Sequence, residues 1–127
     1  MKTINGYAGF EYVDVVLESG KISIKDALEI DFKIACEIVK RMPLRGKEIH
    51  FLRKQLKLSC SKLSLKLNGA FDASTISKWE NKESNRLSPS NEMFMRVFFS
   101  EQFKLKLNAI GEELVPSETE TKLEYAA

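Results

Sequence analysis

The sequence predicts a mainly α protein, a five-helix domain preceded by a short N-terminal β-hairpin. Three observations lead there. Between Asp26 and Leu107, five successive stretches carry apolar residues at helical spacing, the mark of amphipathic helices. Phe10–Leu17 is instead aromatic and β-branched, and Glu18-Ser19-Gly20 after it is a turn signal. Between the third and fourth helical stretches stands Asn68-Gly69, where Gly supplies the positive φ of a helix C-cap. A chain of 127 residues fits one domain with a small appendage and can bury a core without covalent staples. The expected divisions are a hairpin element over 1–25, a helical domain over 26–108 and an acidic tail over 109–127.

In the hairpin, FEYVDVVL (10–17) is one strand, and Lys21-Ile22-Ser23-Ile24, alternating polar and apolar, is the other. Helix one covers Asp26–Met42, with Ala27, Leu28, Ile30, Ile34, Ala35, Ile38 and Val39 on its apolar face. Asp31 is a local cap for its main part. Lys40-Arg41 suit the negative helix pole, and Met42-Pro43 ends the helix, because a residue before proline disfavours helical backbone. Helix two, Arg45–Lys57, has the stripe Ile49, Leu52 and Leu56, widened by Phe51. His50 lies beside that stripe as a partly exposed polar neighbour. Ser59 caps helix three, from which Leu63 and Leu67 point inward. Phe71 plugs the core, Asp72 caps helix four, and Ile76 and Trp79 face inward. Ser90 caps helix five, which runs to about Leu107 with Phe94, Phe98, Phe99 and Phe103. That is more aromatic surface than one amphipathic face needs. It either closes the core or forms a homodimer interface, where aromatics and Met are enriched. The tail from Gly111 is acidic and expected to be disordered, with Tyr125-Ala126-Ala127 as a frayed end.

Charge is unevenly distributed. Residues 40–86 hold twelve Lys/Arg against four Asp/Glu, a balance of +8, while 1–39 and 87–127 each hold four against seven, a balance of −3. A basic centre between acidic flanks is the footprint of a nucleic-acid-contacting segment; a solvated Lys-rich surface is the alternative. Other classes fall away. No run of apolar residues is long enough to span a bilayer, and MKTINGYAGFEYVD lacks the apolar core of a signal peptide. Cys36 and Cys60 stand apart with a single histidine, so no zinc site or metal is expected, a disulfide is the less favoured alternative, and a reducing cytoplasm is the expected location. No nucleophile–base constellation or phosphate-cradling glycine loop points to an enzyme or a cofactor.

The stretch 59–81 therefore reads as a helix-turn-helix, whose second helix enters the DNA major groove. Helix four exposes small hydroxylated residues and one lysine, a poor structural face but a sensible DNA-facing one. Ser59-Cys60-Ser61-Lys62-Leu63-Ser64 followed by Ser74-Thr75-Ile76-Ser77-Lys78-Trp79-Glu80-Asn81 resembles the phage-repressor/Cro-like (XRE) helix-turn-helix family. Leu44-Arg45-Gly46-Lys47-Glu48-Ile49-His50-Phe51-Leu52-Arg53-Lys54 is similar to a run of its MqsA/YgiT-like branch, and Tyr7, Gly9, Val13, Val15, Leu17 and Gly20 resemble the β-element preceding the helices there. The likeness covers roughly 7–105. It implies a five-helix, lambda-repressor-like DNA-binding domain, a homodimer, and a transcriptional repressor of its own operon. Many members are antitoxins, which implies a cognate toxin as a possible partner and toxin neutralisation as the alternative main task. In this chain Cys60 stands where the family usually has Gln, Ser64 where it has Ala, the zinc-binding Cys pairs are absent, and the Asn68–Asp72 turn is longer.

By position in that motif, Ala73, Ser74, Ser77 and Lys78 are the expected base contacts. Ser59, Cys60 (through its backbone N–H), Thr75, Asn81, Lys82 and Arg86 are the expected phosphate contacts, with Arg53 and Lys54 secondary. The expected partner is double-stranded DNA.

Overall fold

In the computed structural model of the chain, residues 2–18, 20–110 and 123–126 are described. The fold is mainly helical, and the chain divides into two compact units. One joins the N-terminal residues through Ile34 to the C-terminal strand; the other is the helical unit that begins at Ala35.

The first unit is built on a three-stranded sheet, ordered β1 (Lys2–Asn5), β2 (Val13–Leu17), β3 (Leu123–Ala126). β1 pairs antiparallel with β2, Ile4 opposite Val15, and β3 pairs parallel with β2, Val15 opposite Tyr125. Val13, Val15 and Leu17 are buried while Asp14 and Val16 are half-buried, the period-2 alternation of a strand with one face in a core. A tight turn at Tyr7–Gly9 connects β1 to β2, and the rings of Phe10 and Tyr12 stack, centroids 5.4 Å apart. The Tyr7 hydroxyl donates to Asp31 Oδ1 at 2.9 Å, and burial, then that bond, push the phenol up to about 12.

Three expectations need correction here. The partner of β2 in the hairpin is Lys2–Asn5, not Lys21–Ile24. Ser23 Oγ instead accepts the Asp26 N–H, 3.0 Å, and α1 (Ile24–Arg41) starts directly. The Ser23 cap draws Ile24 onward into the helix, which outcompetes a four-residue strand despite the turn signal before it. Asp31, consequently, lies inside α1 and is not a cap. Finally, Leu123–Ala126 is strand rather than frayed end; the expected disorder of 111–122 lies outside the described residues.

The helical unit takes the C-terminal half of α1, then α2 (Gly46–Gln55), α3 (Cys60–Lys66), α4 (Ala73–Asn81) and α5 (Pro89–Ile110). Leu44, Ile49, Leu52, Leu63, Ile76, Met95 and Phe99 are fully buried and form its core. Two of the four caps foreseen in α3–α5 differ. Ser59 Oγ accepts from Lys62 N–H as expected, but Ser88, not Ser90, caps α5, because Pro89 takes the first helical position where no N–H is needed. At the end of α3, Asn68 itself takes the left-handed residue (φ 55), and the Gly69 N–H returns to Ser64 O at 3.1 Å, closing a Schellman motif. The last turn of α1 is held from α5: the Arg96 guanidinium donates to the carbonyls of Ile38, Val39 and Met42 at 2.6–3.1 Å. α5 is apolar on two faces: Met95, Phe99 and Phe103 are buried, whereas Met93, Phe94 and Val97 are exposed. No helix among the described residues is long and apolar enough to cross a membrane.

Candidate nucleic-acid interface

Helix α4 is nine residues long, and its two sides are chemically opposite. Ser74, Ser77, Lys78 and Asn81 stand at i, i+3, i+4 and i+7, hence on one face, and all four are exposed. Ile76 and the Glu80 side chain point the other way and are buried. Ala73 and Thr75 are half-buried at the flanks. Asp72 caps the helix, Oδ1 accepting the Thr75 N–H at 2.8 Å and the Ser74 hydroxyl at 2.9 Å. The Thr75 bonds, then that of Ser74, hold its carboxyl below the usual range.

Glu80 fixes the roll of α4. Arg53 of α2 grips its carboxylate with two bonds of 2.7 Å, Nε to Oε2 and Nη2 to Oε1, and also donates to the Leu58 carbonyl at 2.9 Å. His50 Nδ1 lies 2.6 Å from Oε1. A carboxylate only accepts, so this contact is a hydrogen bond when Nδ1 carries the proton; Arg53 Nη2 lies 3.2 Å from the same nitrogen. The Cys60 thiol approaches Oε2 at 3.8 Å. Burial, then the negative Glu80 carboxylate, raise the thiol above its ordinary value, which favours its protonated form.

A second lock holds the base of α2. The N–H groups of Gly46 and Lys47 donate to Asn85 O and Glu83 O at 3.1 and 3.2 Å. Fully buried Glu48 accepts the Arg45 N–H and pairs with the Arg45 guanidinium at 2.6 Å. A third contact crosses the Asn68–Asp72 turn. The Ser64 hydroxyl donates to Phe71 O at 2.7 Å, so this polar side chain has a specific partner. Phe71 in turn meets Trp79 edge-on at 4.7 Å. Ser64→Ala should lower stability by about 1 kcal/mol, read as a shift of the urea midpoint with unchanged slope.

The expected contact residues divide as follows. Ser74, Ser77, Lys78, Asn81, Lys82 and Ser59 are exposed. Cys60, Ser77 and Asn81 come together in a polar cleft of about 300 Å³ between α2, α3 and α4, lined also by Lys47 and His50. Those two were missed by sequence reasoning as neighbours of the α4 face, although the charge of Lys47 was a signal. Arg86 is exposed but grips Glu92 with bonds of 2.7 and 2.9 Å, so a phosphate must compete with that carboxylate. Arg53, expected as a secondary phosphate contact, is buried and committed to Glu80; it is a structural residue. Lys54 stays exposed.

No protein-family model matches the chain, and neither a curated protein nor a solved structure matches it.

Proposed function

We propose that the chain is a sequence-specific, DNA-binding transcriptional regulator that works without chemistry. It inserts α4 into the major groove and acts as a repressor of its own operon. The observation that carries this reading is the exposed face Ser74–Ser77–Lys78–Asn81, on a helix whose roll is fixed from behind by Arg53 and Glu80. A rigid helix with a short polar outer face suits readout of base edges. Lys78 suits guanine O6/N7, and Ala73 a thymine methyl. The Ser74 proton is spent on Asp72, so this serine can only accept, which suits the amino groups of cytosine or adenine. Ser59, Thr75, Asn81 and Lys82 serve as phosphate contacts. The exposed apolar stripe Met93–Phe94–Val97 supports a homodimer, and a dimer should recognise a pseudo-palindrome whose half-sites lie about one helical turn, roughly 34 Å, apart.

Selection from random duplexes supplies the operator. On that operator, Lys78→Ala should cost about 1–3 kcal/mol and relax preference at one base position. Lys82→Ala should weaken all sequences alike and flatten the salt dependence by about one unit of slope. Unchanged affinity in Lys78→Ala sinks the placement of the reading face.

A second reading, an antitoxin-type module that neutralises a partner protein, is favoured by Ile24 (81% exposed) and Leu28 (62%) in the first turns of α1. They lie one turn apart and form an apolar pair open to solvent. Co-expression with the product of the adjacent reading frame tests it: Leu28→Glu should break a complex of this kind and leave DNA binding intact.

A further inference from the structure

Strand β2 is flanked by two neighbours of different character. β1 reaches it through a short local connection, whereas Leu123 of β3 lies 110 positions beyond its partner Val13. The β2–β3 ladder comprises Val13–Leu123, Asp14–Glu124, Val15–Tyr125 and Val16–Ala126, with the Leu123 N–H donating to Tyr12 O at 2.7 Å. Leu123 is buried, 3% exposed, and Tyr125 is half-buried; Glu124 and Ala126 are exposed. Main-chain bonds, with the buried Leu123 side chain, thus contribute to holding β3. Bonds of that kind are indifferent to which chain supplies the strand.

The position also demands an occupant. Val13 and Val15 of β2 are fully buried, and removing β3 would leave an open edge on a two-stranded ribbon. Such ribbons are marginal in water, and open edges recruit other strands.

We propose that the β3 position is an exchangeable strand-accepting site, filled in trans by Leu123–Ala126 of a second copy of this chain. The segment is the one sequence seen to fit the register, and reciprocal exchange closes a two-fold dimer without any new surface. Tethering favours a chain's own strand at low concentration, and the second copy wins as concentration rises. The proposal is independent of the DNA reading and of the apolar stripe on α5.

The test uses full-length chains. Val16→Cys is placed in one copy and Ala126→Cys in a second, mass-tagged copy; the two are unfolded together in urea, refolded across a concentration series and oxidised. The expected result is an interchain 16–126 disulfide, identified by peptide mapping against Cys36 and Cys60, that grows with concentration. It should vanish when Leu123→Asp is added to the Ala126→Cys copy. A chain carrying both cysteines is the control for register. If that chain closes in cis while the mixture gives no interchain bond at any concentration, the strand is purely intramolecular and the proposal falls. It falls equally if the interchain bond survives Leu123→Asp, which means random collision, or if neither sample forms the bond, which means the register is wrong.

Discussion

Glu80→Ala is expected to destabilise the helical unit by about 3–5 kcal/mol, the cost of breaking a buried ion pair from one side. The carboxylate is 8% exposed and its Arg53 partner 10%. With Glu80 gone, the guanidinium keeps only the Leu58 carbonyl as a strong acceptor, and a buried cation is left uncompensated. The comparison that isolates this cause is the double variant Arg53→Met, Glu80→Leu. It removes both charges and should recover most of the loss, since apolar replacements of a buried pair are often neutral or better. Urea unfolding of the three proteins measures it. A Glu80→Ala loss below about 1 kcal/mol, the value of an exposed pair, would contradict the burial argument. The same group makes the unit acid-labile. Burial opposes the charge on Glu80, but the bonds from Arg53 and His50 outweigh it and hold the carboxyl below its ordinary 4.5. Glu92 is also held low, first by Arg86. A folded value below the unfolded one means that folding sheds protons. The stabilisation is therefore complete above the ordinary value of 4.5 and is lost as pH falls through the lowered folded values. The urea midpoint should hold between neutral pH and about 5 and then drop.

Gly46→Ala is the second large effect. A methyl group there would sit 2.6 Å from the Lys82 carbonyl oxygen and closer still to that of Trp79. Both obstacles are backbone, so no side chain can swing aside. The loss should reach about 3 kcal/mol, the top of the usual range for overpacking, and should displace α4 from α2. Gly69→Ala is the control. Gly69 has a positive φ of 74 and nothing within 4 Å of the new group, so only backbone strain of about 1–2 kcal/mol applies. Equal losses at the two glycines would show that the close approach of the α2 N-terminus to the end of α4 does not govern the packing.

What could be read from the sequence was local. Ser59 and Asp72 announced the starts of α3 and α4 because a cap acts within three residues. The stripes Ile49–Leu52 and Leu63–Leu67 announced buried faces because helical periodicity is visible in a short window. What escaped was non-local. Leu123–Ala126 is four residues with no period and no turn, and only β2 makes it a strand. Lys2–Asn5 was overlooked for the same reason, while Lys21–Ile24 had the better alternation but also Ser23, whose hydroxyl serves a helix. In the sequence Arg53 reads as a secondary phosphate contact because its partner is 27 positions away, and nothing in the spacing of the two residues says that they meet. The reason for Gly46 is likewise a carbonyl from another helix.

The pairing of β2 with β3 also sets the order in which the chain can finish folding. Val13 and Leu123 are 110 positions apart, close to the longest separation this sequence allows. At a synthesis rate of about 5–20 residues per second, β2 waits on the order of 5–20 s on the ribosome for its neighbour. During that interval α1 to α5 emerge, and their contacts, none of which needs β3, can form before it is made. The N-terminal sheet, although made first, is thus completed last, and the nascent chain carries an unsatisfied strand edge while its helices are already in place.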